Sequence, residues 1–200
     1  MKHQSYLGIE LESNTLEPEQ LKRDGFFIKE SLLSPKLCRD LSDNLDELLQ
    51  AQVNKYGENL LKKIKDWGTV RAMMKDSEIF RDLILNNDIA EWVDKILGNT
   101  CILHLQNGII LNPSLSHNQA NYHKDFPKDF LSSKTLSLNS FIAIDDFTKK
   151  NGGTYIVPAT HNFIEKPSEE YIRANKIQIT CPKGTVIFFD STLWHAAGQN

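Results

Sequence analysis

The sequence predicts an α+β domain in which N-terminal helices pack on one sheet of a β-sandwich or jelly roll. Apolar residues in the first half recur at helical spacing, and the second half holds short apolar runs separated by turn residues. The length of 200 residues suits one domain with a sizeable core. We therefore expect residues 1–200 to form a single domain, with an arm over 1–16, a mainly helical part over 17–98 and a β core over 101–200.

The first expected elements are a short helix, a short strand and a longer helix. Residues 17–24 carry a proline in their first turn and are followed by Gly25, which predicts a helix that ends there. The apolar residues 26–28 predict a strand. Ser34 and Pro35 predict the start of the clearest helix, because serine is a favoured N-cap and proline suits the first turn. Apolar residues at helical spacing predict its buried face: Leu37, Leu41, Leu45, Leu48 and Leu49.

The rest of the helical half is expected to contain a loop and two further helices. Residues 56–76 are polar and mixed, with a loop expected at 67–68. Ser77 is expected to cap the first of the two helices. Residues 87–97 predict the second, which Gly98 would end.

The second half carries the patterns of short strands. A glycine at 184, in the sequence Pro182-Lys183-Gly184, predicts a hairpin-type break between the last two of them. Closely spaced strands of this kind favour a sandwich or jelly roll. The expected strands are 101–111, 136–144, 154–157, 177–180 and 185–189.

Composition and charge argue against several classes of partner. A net charge of −3 with scattered basic residues gives no patch for nucleic acid. No apolar run reaches membrane-spanning length, and the N-terminus lacks the apolar core of a signal peptide. The three cysteines are far apart and form no Cys-x-x-Cys pair, which favours reduced thiols in a cytoplasmic protein. The oligomeric state stays open.

The candidate site is built around His123 and Asp125. They are two residues apart, so in an extended segment both side chains leave the same face. A histidine and a carboxylate are two of the three ligands of a facial ferrous site, and His195 could be the third. From spacing alone, His195 could equally be a core or rim histidine, and Asp125 a turn cap.

Several further motifs follow one another along the chain: Asp24-Gly25-Phe26, Lys95-Ile96-Leu97-Gly98, Gln119-Ala120-Asn121-Tyr122-His123-Lys124-Asp125, Ala143-Ile144-Asp145-Asp146, Asn151-Gly152-Gly153, Val157-Pro158-Ala159-Thr160-His161, Phe189-Asp190-Ser191 and Trp194-His195-Ala196-Ala197-Gly198-Gln199-Asn200. In this order and at these intervals, they resemble the phytanoyl-CoA dioxygenase family of Fe(II)/2-oxoglutarate oxygenases. The resemblance runs from about residue 21 to residue 200.

The resemblance implies a double-stranded β-helix core with iron held by His123, Asp125 and His195. It also implies 2-oxoglutarate and dioxygen as cosubstrates, with succinate and carbon dioxide released as a small molecule is hydroxylated. The aspartate favours hydroxylation, since related halogenases have a small residue there. The family pattern and strand position place four residues near the cosubstrate (Gln119, Phe141, Asn107 and Thr69) and suggest a substrate lid formed by Arg71, Met73 and Met74.

The chain departs from the family pattern after His195. A family serine two residues past this histidine is replaced by Ala197. The family's arginine for the far carboxylate of 2-oxoglutarate lies on the next strand, and the chain stops at Asn200, so we expect the last strand to be missing from it. Two alternatives remain at this point: a catalytically silent jelly-roll binding module, and a zinc hydrolase with the same ligands. The substrate is not identified, and segments 56–76 and 165–176 are the expected determinants of substrate choice.

Overall fold

The computed structural model describes residues 16–113, 117–126, 128–129 and 131–200. Helices precede strands along most of the chain, as the sequence predicts. The helices of these ranges are α1 (Leu16–Asp24), α2 (Pro35–Tyr56), α3 (Glu58–Lys63), α4 (Met73–Asp76), α5 (Glu78–Ile84), α6 (Asn87–Leu97) and α7 (Glu169–Asn175). The strands are β1 (Phe26–Lys29), β2 (Thr69–Arg71), β3 (Asn107–Ile109), β4 (Leu138–Ile142), β5 (Tyr155–Ile156), β6 (Ile177–Gln178), β7 (Val186–Asp190) and β8 (His195–Ala196). Of the arm expected over 1–16, all but Leu16 lies outside the described residues.

The strands form small antiparallel sheets. One sheet has the order β1-β7-β4, a second has the order β6-β5-β8, and β2 pairs with β3 alone. Buried side chains from the first two sheets and from the segments next to their strands meet in one apolar cluster: Phe26, Ala143, Ile156, Ile179, Cys181, Ile187, Phe189 and Leu193. The α+β class with antiparallel sheets is therefore confirmed.

Strand β7 is buried on both faces. Val186 and Phe188 join the cluster that contains the helices, whereas Ile187 and Phe189 join the cluster between the two sheets. This division follows from the alternation of side chains along a strand. A strand covered on both sides reads as a continuous apolar run, which is why 185–189 was recognisable as a strand.

The helical layer packs on the outer face of the β1-β7-β4 sheet. Helix α2 begins where the sequence predicts, since the Ser34 hydroxyl accepts a hydrogen bond from the Leu37 N–H at 3.2 Å. Its leucines pack in the same cluster as Phe27 and Phe188, whose rings stack at 4.9 Å between centroids. The predicted stripe is confirmed as the core-facing side of α2: Leu41, Leu45 and Leu49 are buried, and Leu37 and Leu48 are partly buried.

Ser77 occupies the N-cap position of α5, as predicted, but its side chain does not cap the helix. Its side chain makes no capping bond to α5, and its hydroxyl instead donates to Asn44 Oδ1 on α2 at 2.9 Å. The neighbouring helix α6 is correctly predicted, and the Asn86 side chain caps it by accepting from Ile89 N at 3.2 Å. The tertiary contact to α2 therefore replaced the local cap at Ser77.

The expected strand over 101–111 is much shorter in the structure. Only Asn107–Ile109 pairs, with β2, and Ile102 is 88% exposed. The apolar residues before Asn107 have no partner strand within the described part of the chain. An apolar run without a pairing partner does not become a strand, whatever its composition.

The break at 182–184 is not a hairpin. Strand β6 pairs with β5, whereas β7 pairs with β1 and β4, so the two strands around the break lie in different sheets. The Thr185 hydroxyl donates to the Pro182 carbonyl at 2.6 Å and closes the turn.

The two polar segments contain more structure than their composition indicates. Segment 56–76 holds α3, β2 and α4, and segment 165–176 holds α7. None of the helices in the described residues is both long and apolar enough to cross a membrane.

Gly25 forms the corner between α1 and β1. Its φ is +82°, and an added Cβ would lie 2.6 Å from His161 Nδ1 and 2.7 Å from a Leu193 methyl carbon. The Gly25 carbonyl accepts from the Asp190 N–H at 2.9 Å, so this corner also fixes the end of β7.

We predict that Gly25→Ala destabilises the fold more than Gly57→Ala does. Gly57 has a similar φ of +84°, but an added Cβ there meets nothing within 4 Å. Gly57→Ala should therefore cost only the backbone strain, about 1–3 kcal/mol. Gly25→Ala should add an overpacking cost of about 1–3 kcal/mol. Urea unfolding of both variants measures the difference, and equal losses would contradict the close packing at Gly25.

Candidate metal centre

Backbone pairing brings the predicted site residues together. His123 and His195 exchange two backbone hydrogen bonds, each of 3.0 Å, as an antiparallel bridge. The Asp125 N–H then donates to the Ser191 carbonyl at 2.9 Å. His195 lies on β8 and also pairs with Ile156 on β5. His123 thus pairs with β8, and Asp125 bonds to the segment just before it. The segment from His123 to Asp125 is therefore extended, which puts both side chains on one face as the spacing predicts.

Each histidine is held in one tautomer by a backbone carbonyl. His123 Nδ1 lies 2.7 Å from the Asn121 carbonyl oxygen, and His195 Nδ1 lies 2.8 Å from the Leu193 carbonyl oxygen. Because a carbonyl oxygen only accepts, each Nδ1 carries the proton and donates it. The Nε2 lone pairs are therefore available as ligands, in the arrangement typical of metal-binding histidines.

Both Nε2 atoms face the Asp125 carboxylate. His123 Nε2 lies 3.8 Å from Asp125 Oδ1, and His195 Nε2 lies 3.7 Å from Oδ2. The three potential ligand atoms lie within 4.8 Å of one another. The His195 side chain is 6% exposed, the His123 side chain 26% and the Asp125 side chain 45%, so the centre is closed at His195 and open at the carboxylate.

Burial favours the neutral form of His195. Desolvation lowers its pKa, and the neighbouring His123 lowers it further, while the Asp125 carboxylate opposes both effects. Neutral imidazole is the form that binds a metal ion.

The predicted cosubstrate residues divide into two groups around this centre. Phe141 packs edge-on against Phe189 with ring centroids 5.7 Å apart, and Phe189 packs against the His195 ring at 4.9 Å. The Gln119 carbonyl accepts from the Ala197 N–H at 2.8 Å, just past His195. These two residues therefore lie beside the histidines.

Thr69 and Asn107 lie on the separate β2-β3 pair. The Thr69 hydroxyl is 3.0 Å from His117 Nε2, and His117 Nδ1 accepts from the Gln119 N–H at 3.2 Å, so His117 links this pair to the site segment. Desolvation lowers the pKa of His117, with the Asp66 charge opposing it. Asn107 Oδ1 is buried and has no hydrogen-bond partner among the described residues.

The suggested lid is corrected at Met73, whose side chain belongs to the core. Met73 is 3% exposed and clusters with the leucines of α2. Arg71 is half-exposed and is bound to Asp66 through two hydrogen bonds of 2.7 and 3.1 Å. Partial burial raises the pKa of Asp66. The hydrogen bonds and the positive charge of Arg71 outweigh this effect, so the pKa of Asp66 is lowered overall.

Lys124, between the two ligands, was not predicted to have a role. It is 4% exposed, and its ammonium donates to the Phe163 and Ile164 carbonyls, each at 3.0 Å. Burial lowers its pKa, while Asp129 and Asp190 oppose this effect. Strand alternation could have placed Lys124 on the face opposite to the ligands, but no sequence signal shows that this face is covered.

Solved structures share the fold. EctD from S. alaskensis, in a structure with 2-oxoglutarate and 5-hydroxyectoine, is 20% identical with a TM-score of 0.75, over 94% of this chain and 71% of that chain. The non-heme alpha ketoglutarate dependent carbocyclase SnoK from nogalamycin biosynthesis is 16% identical with a TM-score of 0.71, over 94% and 78%. This fold, carrying two histidines and a carboxylate at one centre, defines the class: the Fe(II)- and 2-oxoglutarate-dependent dioxygenases.

The chain belongs to the phytanoyl-CoA dioxygenase (PhyH) family, whose sequence model matches residues 21–200. Uncharacterized proteins of Mycobacterium tuberculosis and Mycobacterium bovis are each 35% identical over 204 residues, covering 97% of this chain and 74% of theirs. The ectoine dioxygenase of Stutzerimonas stutzeri is 22% identical over 214 residues, covering 91% and 70%. The expected family and enzyme class are confirmed, and the silent binding module is not favoured.

The residues present fit the iron of this class. His123 Nε2 is buried and finds no hydrogen-bond partner in the described ranges, which is costly unless a ligand satisfies it. Two neutral imidazoles and one carboxylate are the donor set of the facial ferrous sites. Fe(II) and 2-oxoglutarate are the cofactors of the class.

We predict that Lys124→Met destabilises the fold by about 1–3 kcal/mol, because it removes the ammonium that donates to the Phe163 and Ile164 carbonyls while keeping an unbranched chain. The control is Lys36→Met, whose side chain is 77% exposed and, among the described residues, forms its ion pair with Asp40 on the same helix. Its loss should be at most about 0.5 kcal/mol. Urea unfolding checks both, and a loss for Lys124→Met as small as for the control would contradict the role assigned to the ammonium.

Proposed function

We propose that His123, Asp125 and His195 bind Fe(II), and that the enzyme uses it to hydroxylate a small molecule. The observation that carries this proposal is the convergence of two histidine Nε2 atoms and one carboxylate within 4.8 Å. The oxygenases of this family act on small molecules, and the identity of the substrate stays open.

The bound iron would supply oxidative chemistry: with 2-oxoglutarate and dioxygen it yields a hydroxylated product, succinate and carbon dioxide. The protein residues prepare the centre for this. The carbonyls of Asn121 and Leu193 hold the imidazoles with Nε2 toward the centre. The presence of a carboxylate at Asp125 favours hydroxylation over halogenation, since halogenases need a small residue there.

We propose that the cosubstrate lies between the histidines and the β2-β3 pair. Gln119 and Phe141 contact the segments that carry or support His195, and Thr69 is joined to Gln119 through His117. The unpartnered Asn107 Oδ1 offers a further polar contact on the same side. Arg71 remains a proposed substrate contact at the exposed edge of β2.

We propose that the helices and sheets form one catalytic domain with a double-stranded β-helix core. The shared cluster between the two three-stranded sheets supports the jelly-roll arrangement. The cluster that joins α2 to β1 and β7 supports a single domain. A cytoplasmic location is also part of the proposal, and the free Cys38, Cys101 and Cys181 are consistent with it.

The proposal predicts a visible charge-transfer band when Fe(II) and 2-oxoglutarate are added without oxygen. On exposure to air, 2-oxoglutarate should be converted to succinate. His123→Ala and Asp125→Ala should abolish the band and lower succinate formation by at least about 10-fold, because each removes a ligand. His104→Ala removes an exposed histidine outside the centre and should leave both unchanged.

Two outcomes would contradict this reading. The first is the absence of a charge-transfer band in the parent protein. The second is a band that persists in His123→Ala, which would show that His123 is not a ligand. Hydrolytic activity with zinc and without oxygen would support the hydrolase alternative instead.

A further inference from the structure

Asn139 touches the only carboxylate of the candidate metal centre. Its side-chain amide donates from Nδ2 to Asp125 Oδ2 at 2.6 Å. A hydrogen bond to an ionised carboxylate is stronger than one between neutral groups. Oδ1, the oxygen nearer to His123, receives no side-chain hydrogen bond from the described residues. Of the two Asp125 oxygens, Oδ2 is therefore hydrogen-bonded to a side chain and Oδ1 is not.

Asp125 orients the Asn139 amide, and Ser191 contacts the other side of that amide. A carboxylate only accepts, so the amide NH₂ must face Asp125 and its carbonyl oxygen must point away. That oxygen, Oδ1, lies 3.3 Å from the Ser191 hydroxyl, which also contacts the Ser137 hydroxyl at 2.9 Å. Ser191 is 1% exposed, so this contact is sheltered from water.

Ser191 also anchors the backbone on both sides of this contact. Its carbonyl accepts from the Asp125 N–H at 2.9 Å, and its N–H donates to the Ser137 carbonyl at 3.0 Å. Asn139 lies on β4 opposite Phe189 of β7. Ser191 therefore contacts both the main chain of Asp125 and the Asn139 amide that binds the Asp125 side chain.

We infer that Asn139 is a positioning residue that makes Asp125 a one-oxygen metal ligand. By engaging Oδ2, the amide restricts rotation of a carboxylate that is 45% exposed and would otherwise turn toward solvent. It leaves Oδ1 for the metal. A neutral donor does this without adding a positive charge beside the ion. The inference rests on the proposed ligand set of His123, Asp125 and His195.

The test measures Co(II) binding by calorimetry, with the absorption spectrum of bound Co(II) as a second readout. Asn139→Leu keeps a similar size and removes the donor. It should weaken Co(II) binding about 10–100-fold, the usual effect of losing a partner of a metal ligand. Its Co(II) spectrum should change, since the carboxylate no longer binds in one fixed way. Melting of the metal-free protein monitors folding.

Two further variants keep the inference falsifiable. Ser140→Ala alters the next residue of β4, which pairs with Phe188, and should bind Co(II) like the parent protein. Ser191→Ala retains Asn139 but frees its amide, so we expect about 3–10-fold weaker binding, the value of one neutral hydrogen bond. If Asn139→Leu does not fold, Ser191→Ala decides the question.

The outcomes separate the inference from the proposed function. If the parent protein binds Co(II), His123→Ala abolishes binding and Asn139→Leu binds like the parent, the positioning role is overturned and the ligand set stands. An unchanged affinity of Ser191→Ala, where Asn139→Leu is unfolded, overturns it likewise. If the parent protein fails to bind Co(II), or binds it independently of His123, the proposed function falls and the inference with it.

Discussion

The reciprocal backbone hydrogen bonds between His123 and His195 are the interaction on which the site depends. Residues directly opposite in an antiparallel pair project to the same face with Cβ atoms about 4.5–5.5 Å apart. Pairing alone therefore brings the two imidazoles together, and their ring centroids lie 4.3 Å apart. Asp125 follows on the same face because it is two residues further along. The main chain therefore brings the three candidate ligands together.

This pairing is supported by β7, the buried strand that leads into the second half of the site. Helices cover one face of β7 and the second sheet covers the other, so both of its side-chain sets are buried. The chain passes from β7 through Ser191 to β8, and all residues from 186 to 196 are buried. On the facing segment, the side chains of His123 and Asp125 are more exposed, although Lys124 between them is buried. His195 is thus part of the core, whereas the segment that carries His123 and Asp125 packs on the outside of it.

The sequence predicted those features that depend on neighbours along the chain. Ser34 and the leucines of α2 were correct because capping and helical periodicity are local, and the His-x-Asp spacing was informative because strand alternation is local too. The failures are of another kind. Residues 101–106 lacked a partner strand, β6 and β7 joined different sheets, and the Ser77 side chain bonded to α2 in place of its own helix. Each depends on a distant segment that composition does not reveal. Asn139 is an intermediate case, because the alternation that puts Phe141 toward the site puts Asn139 on the same face.

The histidines and the aspartate of the centre are oriented by different means. Each histidine donates to the carbonyl two residues before it, Asn121 for His123 and Leu193 for His195, so its ring is oriented by its own segment. Asp125 has no such local partner, and the side chain that holds it comes from β4. The imidazoles are therefore oriented once the two ligand segments pair, whereas the carboxylate is oriented only when β4 has joined β7. Because the carboxylate is also the most exposed ligand, its geometry is the one that most needs support from the tertiary structure. The hydrogen bond from Asn139 provides that support where the local backbone cannot.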